Sequence, residues 1–306
     1  MDLSVVVPTL NGRDRLAASL DSLAARAPDA EVVVVNGPSA DGTTGMVRER
    51  DDVDVLVEVA DRCINVARNA GIAVAEGDAI ALLGYDLRIG DGWVDAIRDG
   101  LAAASAVSGP VNRGDHEHVD EGPEQRTIAG RDVTYFSGDN VAFRATTLRD
   151  TLDGFDEYLL TGGARDAAHR LAGAGDDVAW RDAMATHRGE DGDNGGPQPH
   201  GPDEHDRAWK YRSLSYRLVK NYGPRPTVAR RTLSHAAADA ADAAREVIQG
   251  EGTPSGWIGN GRDVITGMGR GTADGLTARA RDRSYARNPN GLSVEEERAV
   301  AVYDWR

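Results

Sequence analysis

The chain has 306 residues, 40% of them hydrophobic and 28% charged, with 50 acidic against 35 basic side chains and a formal net charge of −15. That length allows one generous core, or a core with a helical appendage, and so negative a protein is a poor nucleic-acid binder. Lysine occurs only at Lys210 and Lys220; an acid-rich, lysine-poor balance suggests a cytoplasm of very high salt, as in haloarchaea, the alternative being a GC-rich genome.

Cys63 stands alone, so no intramolecular disulfide can form and a reducing cytoplasm fits. The opening MDLSVVVPTL has neither a basic n-region nor a long apolar h-region, and no run of about 18 apolar residues occurs. The expectation is a cytoplasmic protein with no spanning segment.

Leu3–Val7 is a compact β-branched run, and Arg13–Arg26 follows with Leu16, Leu20 and Leu23 at helical spacing. Glu31–Val35 is a second strand, and Asp41-Gly42-Thr43 opens a helix to about Arg50. Val53–Val59, Ile64–Ala75, Ala79–Leu83 and Trp93–Ala104 continue as strand, helix, strand and helix. This alternation implies a doubly wound, mostly parallel sheet flanked by helices. Ligands of such sheets sit beyond the carboxyl ends of the strands.

Past Gly109 the alternation loosens. Gly114–Glu124 is an acidic loop with His116 and His118, and Thr127–Phe136 reads as a strand pair. Ala164–Ala174 is a helix, and Val178–Trp180 a strand. His187–Asp206, with His200 and His205, reads as a long polar loop. Residues 1–206 are thus expected to form the α/β domain, and 207–306 a helical C-terminal extension. In the extension Arg207–Gln249 is helical with a break at Gly223–Pro226, Gly250–Gly275 reads as a flexible glycine-rich loop, and Ser293–Tyr303 as a short capped helix.

The strand ends carry the candidate chemistry. Pro8-Thr9-Leu10-Asn11 follows the first strand, and Asn36-Gly37-Pro38-Ser39-Ala40-Asp41-Gly42-Thr43 the second. Gly84-Tyr85-Asp86 follows the fourth, and Arg68-Asn69 lies on a helix facing the same crevice. In this order SVVVPTLNGRDRLAASLDSL, EVVVVNGPSADGT, ARNAGIAVAEGDAIALLGYD, LDGFDE and AHRLAGAG resemble the family 2 glycosyltransferases of the GT-A fold, over roughly Leu3 to His187. The resemblance implies a nucleotide-sugar donor held by Pro8, Thr9, Asn11, Asn36, Asp41, Arg68, Asn69 and Asp86. It also implies a metal-dependent, inverting transfer.

Departures from the family's pattern accompany it. Asn36 stands where an aspartate usually grips the base, and Gly84 where Asp-x-Asp has its first acid. Gly163-Ala164 stand where a Glu-Asp pair supplies the catalytic base. Asp166 and Asp139 are therefore the candidates to replace that base. Asp86 with His187 and phosphate oxygens would form a minimal Mn²⁺ or Mg²⁺ site, the alternative for His187 being a surface-loop histidine.

From Arg207 to Ala238 there is no Asp or Glu, while eight Arg and Lys residues interleave with Trp209, Tyr211, Tyr216 and Tyr222. Such a stretch suits an anionic membrane surface or a lipid-linked phosphate, or else pairs with the chain's own carboxylates. The leading expectation is a glycosyltransferase acting on a glycan or dolichol-phosphate-linked saccharide in surface-glycan or N-glycosylation assembly, peripherally attached to the cytoplasmic membrane face. The alternative is a degenerate nucleotide-sugar-binding partner of another glycosyltransferase.

Overall fold

The computed structural model describes residues 1–113, 122–189, 207–249, 254–295 and 297–306. His116, His118, His200 and His205 lie outside them. The first half alternates as its periodicity predicts: β1 (Leu3–Thr9), α1 (Arg13–Arg26), β2 (Glu31–Asn36), α2 (Thr43–Arg48), β3 (Val55–Val59), α3 (Ile64–Val74) and β4 (Ala79–Leu83). There follow β5 (Leu87–Ile89), α4 (Trp93–Ala103), β6 (Ala106–Ser108), β7 (Val111–Arg113), β8 (Gln125–Ile128), β9 (Arg131–Thr134) and β10 (Asn140–Arg144). The remainder is α5 (Gly163–Ala174), β11 (Val178–Trp180), β12 (Thr186–Arg188), α6 (Arg207–Tyr222), α7 (Pro226–Gln249), α8 (Pro254–Arg281) and β13 (Ala299–Asp304).

Eight strands form the main sheet in the order β11-β6-β10-β4-β1-β2-β3-β13. β1 to β4 are mutually parallel, whereas β10 runs antiparallel to β4 and β6, and β13 antiparallel to β3. Side-chain alternation divides the core. Val6, Val33, Val35 and Leu82 face α3, α5 and α6, while Val5, Val7, Val34 and Leu83 face Leu16, Leu20 and Leu23 of α1 and Ile97 of α4. A smaller sheet, β5-β12-β7, lies beyond β4.

Two expectations for the C-terminal part are corrected. The stretch read as a glycine-rich loop lies largely within α8. Carbon added at Gly267, Gly271 or Gly275 would run into the α6 backbone at Ala208, Arg212 or Tyr216. The four-residue spacing puts these glycines on one helix face, so they mark a close helix crossing. The terminal stretch read as a helix instead makes β13, because the open edge of β3 supplies a ladder of partners for Val-Ala-Val-Tyr. Among the described residues, no helix is long and apolar enough to cross a membrane.

Candidate active site

A cavity of about 810 Å³ opens where the carboxyl ends of β1 and β4 meet the start of β10, the N-termini of α3 and α5, and one face of α6. Four of the residues singled out in the sequence line it: Pro8, Arg68, Asp86 and Asp139. Arg68 sits on α3 with its guanidinium buried, donating to the Gly138 carbonyl at 2.9 Å and to Asp139 Oδ1 at 3.1 Å. Burial pushes its pKa down, and Asp139 opposes that. Asp139 remains 47% exposed, so its carboxylate is accessible from the cavity.

Asp86 is nearly enclosed, and Nε of Arg188, from β12, lies 3.0 Å from its Oδ2. That nitrogen makes no directed hydrogen bond, so the pair is held by charge rather than by donor geometry. Burial raises the Asp86 carboxyl above its ordinary range; Arg188 lowers it and Asp139 raises it again. Each of these two carboxylates therefore faces an arginine.

The other expected donor residues brace the loops rather than line the cavity. Asn11, in the left-handed region at φ 52°, accepts from the Ala40 amide and donates its own amide to Ser39. Asn36 is buried, with its amide nitrogen on Thr44 at 2.9 Å and its oxygen on Ser39 at 2.7 Å. Asp41 accepts from the Arg13 and Thr43 amides and the Thr43 hydroxyl. Although burial pushes it up, these bonds hold its carboxyl below the usual range. Asn69 clamps the Phe155 backbone and the Glu157 carboxylate. The Thr9 hydroxyl is enclosed without a hydrogen-bond partner.

Asp166 is a correction. It is fully buried, with Lys220 Nζ and Arg170 Nε each 2.8 Å from Oδ2 and the Asn221 amide 2.9 Å from Oδ1. A carboxylate so enclosed presents no oxygen to an acceptor hydroxyl. His187 is another. It lies on the exposed side of β12, with its ring 3.4 Å from the Asn112 amide, while its neighbour Arg188 reaches Asp86 from the other face. Strand alternation separates His187 from Asp86.

Part of the acid-free stretch also turns inward, although Arg225 and Arg230 stay exposed. Lys220 lies between Asp156 at 2.6 Å and Asp166, and Arg212 pairs with Asp274 at 2.8 Å and stacks near Tyr158. Tyr211, Tyr216 and Tyr222 are buried. Sequence reasoning missed Arg188 and Arg165, both of which line the cavity. Strand parity next to His187 was the available signal for Arg188, while Arg165 carries no signal beyond its place beside Gly163-Ala164.

The fold is of the GT-A type, a mixed sheet of eight strands flanked by helices. Residues 4–151 match the Glycosyl transferase family 2 profile. The Pre-mycofactocin glycosyltransferase of Mycobacterium tuberculosis is 29% identical over 198 residues, covering 57% of this chain and 40% of the relative. The chain thus spans about two-fifths of the length of the curated relatives it matches. Among solved structures, the mannosyltransferase PcManGT of Pyrobaculum calidifontis, in complex with GDP-Man and Mn²⁺, superposes with a TM-score of 0.56 at 20% identity, covering 92% of this chain and 88% of that one. S. aureus TarS in complex with UDP-GlcNAc gives 0.61 at 16% identity, covering 97% and 91%.

The fold family implies a divalent cation, and the donor set here does not fit one. A cation bridging phosphates needs several hard oxygen ligands. Asp86 already carries Arg188, Gly84 offers no carboxylate, and His187 faces away. Among the described residues, no three His, Cys, Asp or Glu side chains converge.

Proposed function

We propose that this chain transfers a sugar from a nucleotide-sugar donor to a hydroxyl of a glycan or lipid-linked saccharide acceptor. The observation that carries this reading is the single cavity joining Asp86, Asp139, Arg68 and Arg188 at the carboxyl edge of a doubly wound sheet, where such folds hold nucleotides. Donor binding falls to the strand-end side, with Pro8 and Tyr85 as walls and Arg68 and Arg188 toward the diphosphate. The acceptor oxygen attacks the anomeric carbon as the bond to the diphosphate oxygen breaks, and Asp139 takes the hydroxyl proton. The nucleoside diphosphate leaves with its charge facing the two guanidinium groups, which replace water with fixed positive charge. One displacement with one base inverts the anomeric centre. A place in surface-glycan or N-glycosylation assembly, on a dolichol-phosphate-linked acceptor at the cytoplasmic membrane face, is the cellular setting we favour.

The degenerate-binder reading draws on Gly84 and on Gly163-Ala164, which leave no acid at either family position. A panel of UDP- and GDP-sugars separates the two. Thermal shift identifies the donor, since a ligand at a hundredfold excess over its Kd adds about 2.7 kcal/mol, and turnover of that donor with an acceptor tests catalysis. Binding without transfer or hydrolysis favours the degenerate reading, and no binding to any member defeats both.

A further inference from the structure

The cavity has a second end, remote from Asp86, and its charge is opposite to that of the whole protein. Arg126, Arg165, Arg217 and Arg231 line it, and among the described residues Glu124 is the carboxylate there. Glu124 uses both oxygens on two of them, Arg165 at 2.7 Å and Arg126 at 3.4 Å. Arg217 reaches in from α6 with its Nε enclosed and without a hydrogen-bond partner. Burial, and then the charge of Arg165, bring its pKa down to about 10. His169 reports the same field. Burial and the surrounding Arg217, Arg165 and Arg231 hold its imidazole well below the usual range, as a neutral bridge between the Tyr222 and Tyr135 hydroxyls.

Excess cations clustered in a chain of net charge −15 are costly without an anion, because burial penalises each charge and like charges repel. The backbone at this end is suited to one as well. Gly162 begins α5 in the left-handed region with no side-chain cap, and Gly162 to Arg165 line the cavity. The first-turn amides of a helix have no partner within the helix and favour negative charge. A side chain at Gly163 would force a neighbour to shift, since an added Cβ would meet the Asn65 side-chain amide at 2.5 Å. Arg165 is held in place by the Tyr135 ring, 4.4 Å beneath its guanidinium. Between this end and the strand ends the backbone packs closely: carbon added at Gly138 would lie 2.6 Å from Arg68 Nη2 and 3.2 Å from the Ala164 Cβ.

The geometry points to a phosphate-ester site at the α5 end of the cavity, formed by Arg165, Arg217, Arg231 and the α5 N-terminus, that holds a phosphate carried by the acceptor. This rests on the transferase reading above, in which the donor diphosphate occupies the strand ends. A phosphate monoester, of charge about −1.5 to −2, matches several guanidinium groups, which bind it bidentately. A carboxylate, with one charge, would leave most of them uncompensated. The arrangement gives a use to the missing acid pair, since carboxylates at positions 163 and 164 would repel such an acceptor.

The test is titration of the full chain with glycerol 3-phosphate, with glucuronate and, separately, with UDP and GDP. Vesicles containing phosphatidic acid form a further arm. Arg217→Gln and Arg231→Gln, the second placed at a partly exposed position that tolerates change, are each expected to weaken the ester about tenfold or more, as loss of one charge-assisted bond implies. Their nucleoside diphosphate affinity should stay within about twofold, well under the tenfold of one lost charge-assisted bond. Preference for vesicles over the soluble ester identifies a lipid phosphate as the source, and the reverse a soluble one. Three results overturn the site. They are no ester binding by the wild type, glucuronate binding as tightly as the ester, or parallel loss of ester and nucleotide in both variants, which would make these arginines part of the donor site. Failure of UDP and GDP to bind, with ester binding intact, defeats the transferase reading and leaves the anion site standing.

Discussion

Lys220→Met provides a direct measure of how the C-terminal helices are fastened to the sheet. Lys220 Nζ lies 2.6 Å from Asp156 and 2.8 Å from Asp166, and all three side chains are fully buried. Arg170, equally buried, remains on Asp166 after the substitution. Asp166 would then keep one cation, while Asp156 would lose the lysine it pairs with, out of reach of water. Removing one partner of a buried ionic group costs about 3–5 kcal/mol, because the charge left behind is uncompensated. With a urea slope of about 1–3 kcal/mol per molar, the unfolding midpoint should fall by about 1 M or more.

The pH dependence of that loss has a definite sign. Burial pushes the Asp166 carboxyl up, but Lys220 and Arg170 outweigh it and hold its folded pKa below the ordinary value. Its stabilising contribution is therefore complete above the unfolded carboxylate range and lost as pH falls through the folded value. Without Lys220 burial gains ground, so the variant's deficit should be largest near neutral pH and shrink below about pH 4. Lys220→Met combined with Asp166→Asn should recover part of the loss, since the two sites are in contact. A midpoint unchanged from wild type at neutral pH would refute the reasoning.

Asp139→Asn should lower kcat about 10²-fold or more, the ordinary contribution of a general base, while donor affinity in the same preparation stays intact; undiminished turnover removes Asp139 from the mechanism. Arg188→Ala should weaken nucleoside diphosphate binding about tenfold, the loss of one charge-assisted contact, whereas chelation with EDTA leaves wild-type donor binding unchanged. A strict metal requirement would show that the donor set rearranges around a cation. Gly271→Leu forces carbon against the Arg212 backbone of α6 and should lower the thermal midpoint markedly; Gly269→Ala, with open space beside it, should raise it slightly through better helix propensity.

The first half of the fold was legible because its signals are local and repeated. Arg13–Arg26 and Ala79–Leu83 have the same limits in the sequence reading and in the structure, since leucine spacing and β-branched runs speak for themselves. The C-terminal errors have a different origin. Gly267, Gly271 and Gly275 look like a loop one at a time, and become a helix face only when α6 lies against them. Residues 299–304 are a strand because β3 has an open edge, a fact no local window contains. At the site, residue type was legible and direction was not. Asp166 and His187 have the right chemistry, but the turn of a helix and the parity of a strand point them elsewhere.

The return of β13 to the sheet has a consequence for the order in which the molecule can be assembled. Tyr303 reaches the Glu58 carboxylate across 245 positions of sequence, while β13 pairs along β3 from Val55 to Val59. Until that stretch leaves the ribosome, the Val-Leu-Val-Glu-Val strand ends the sheet with an unmatched row of amides and carbonyls, the feature through which nascent chains stick to one another. A stretch translated 245 positions after Glu58 closes that edge. Completion of the sheet is therefore a late event, and the nascent chain needs an interim cover for β3 throughout translation of the helices.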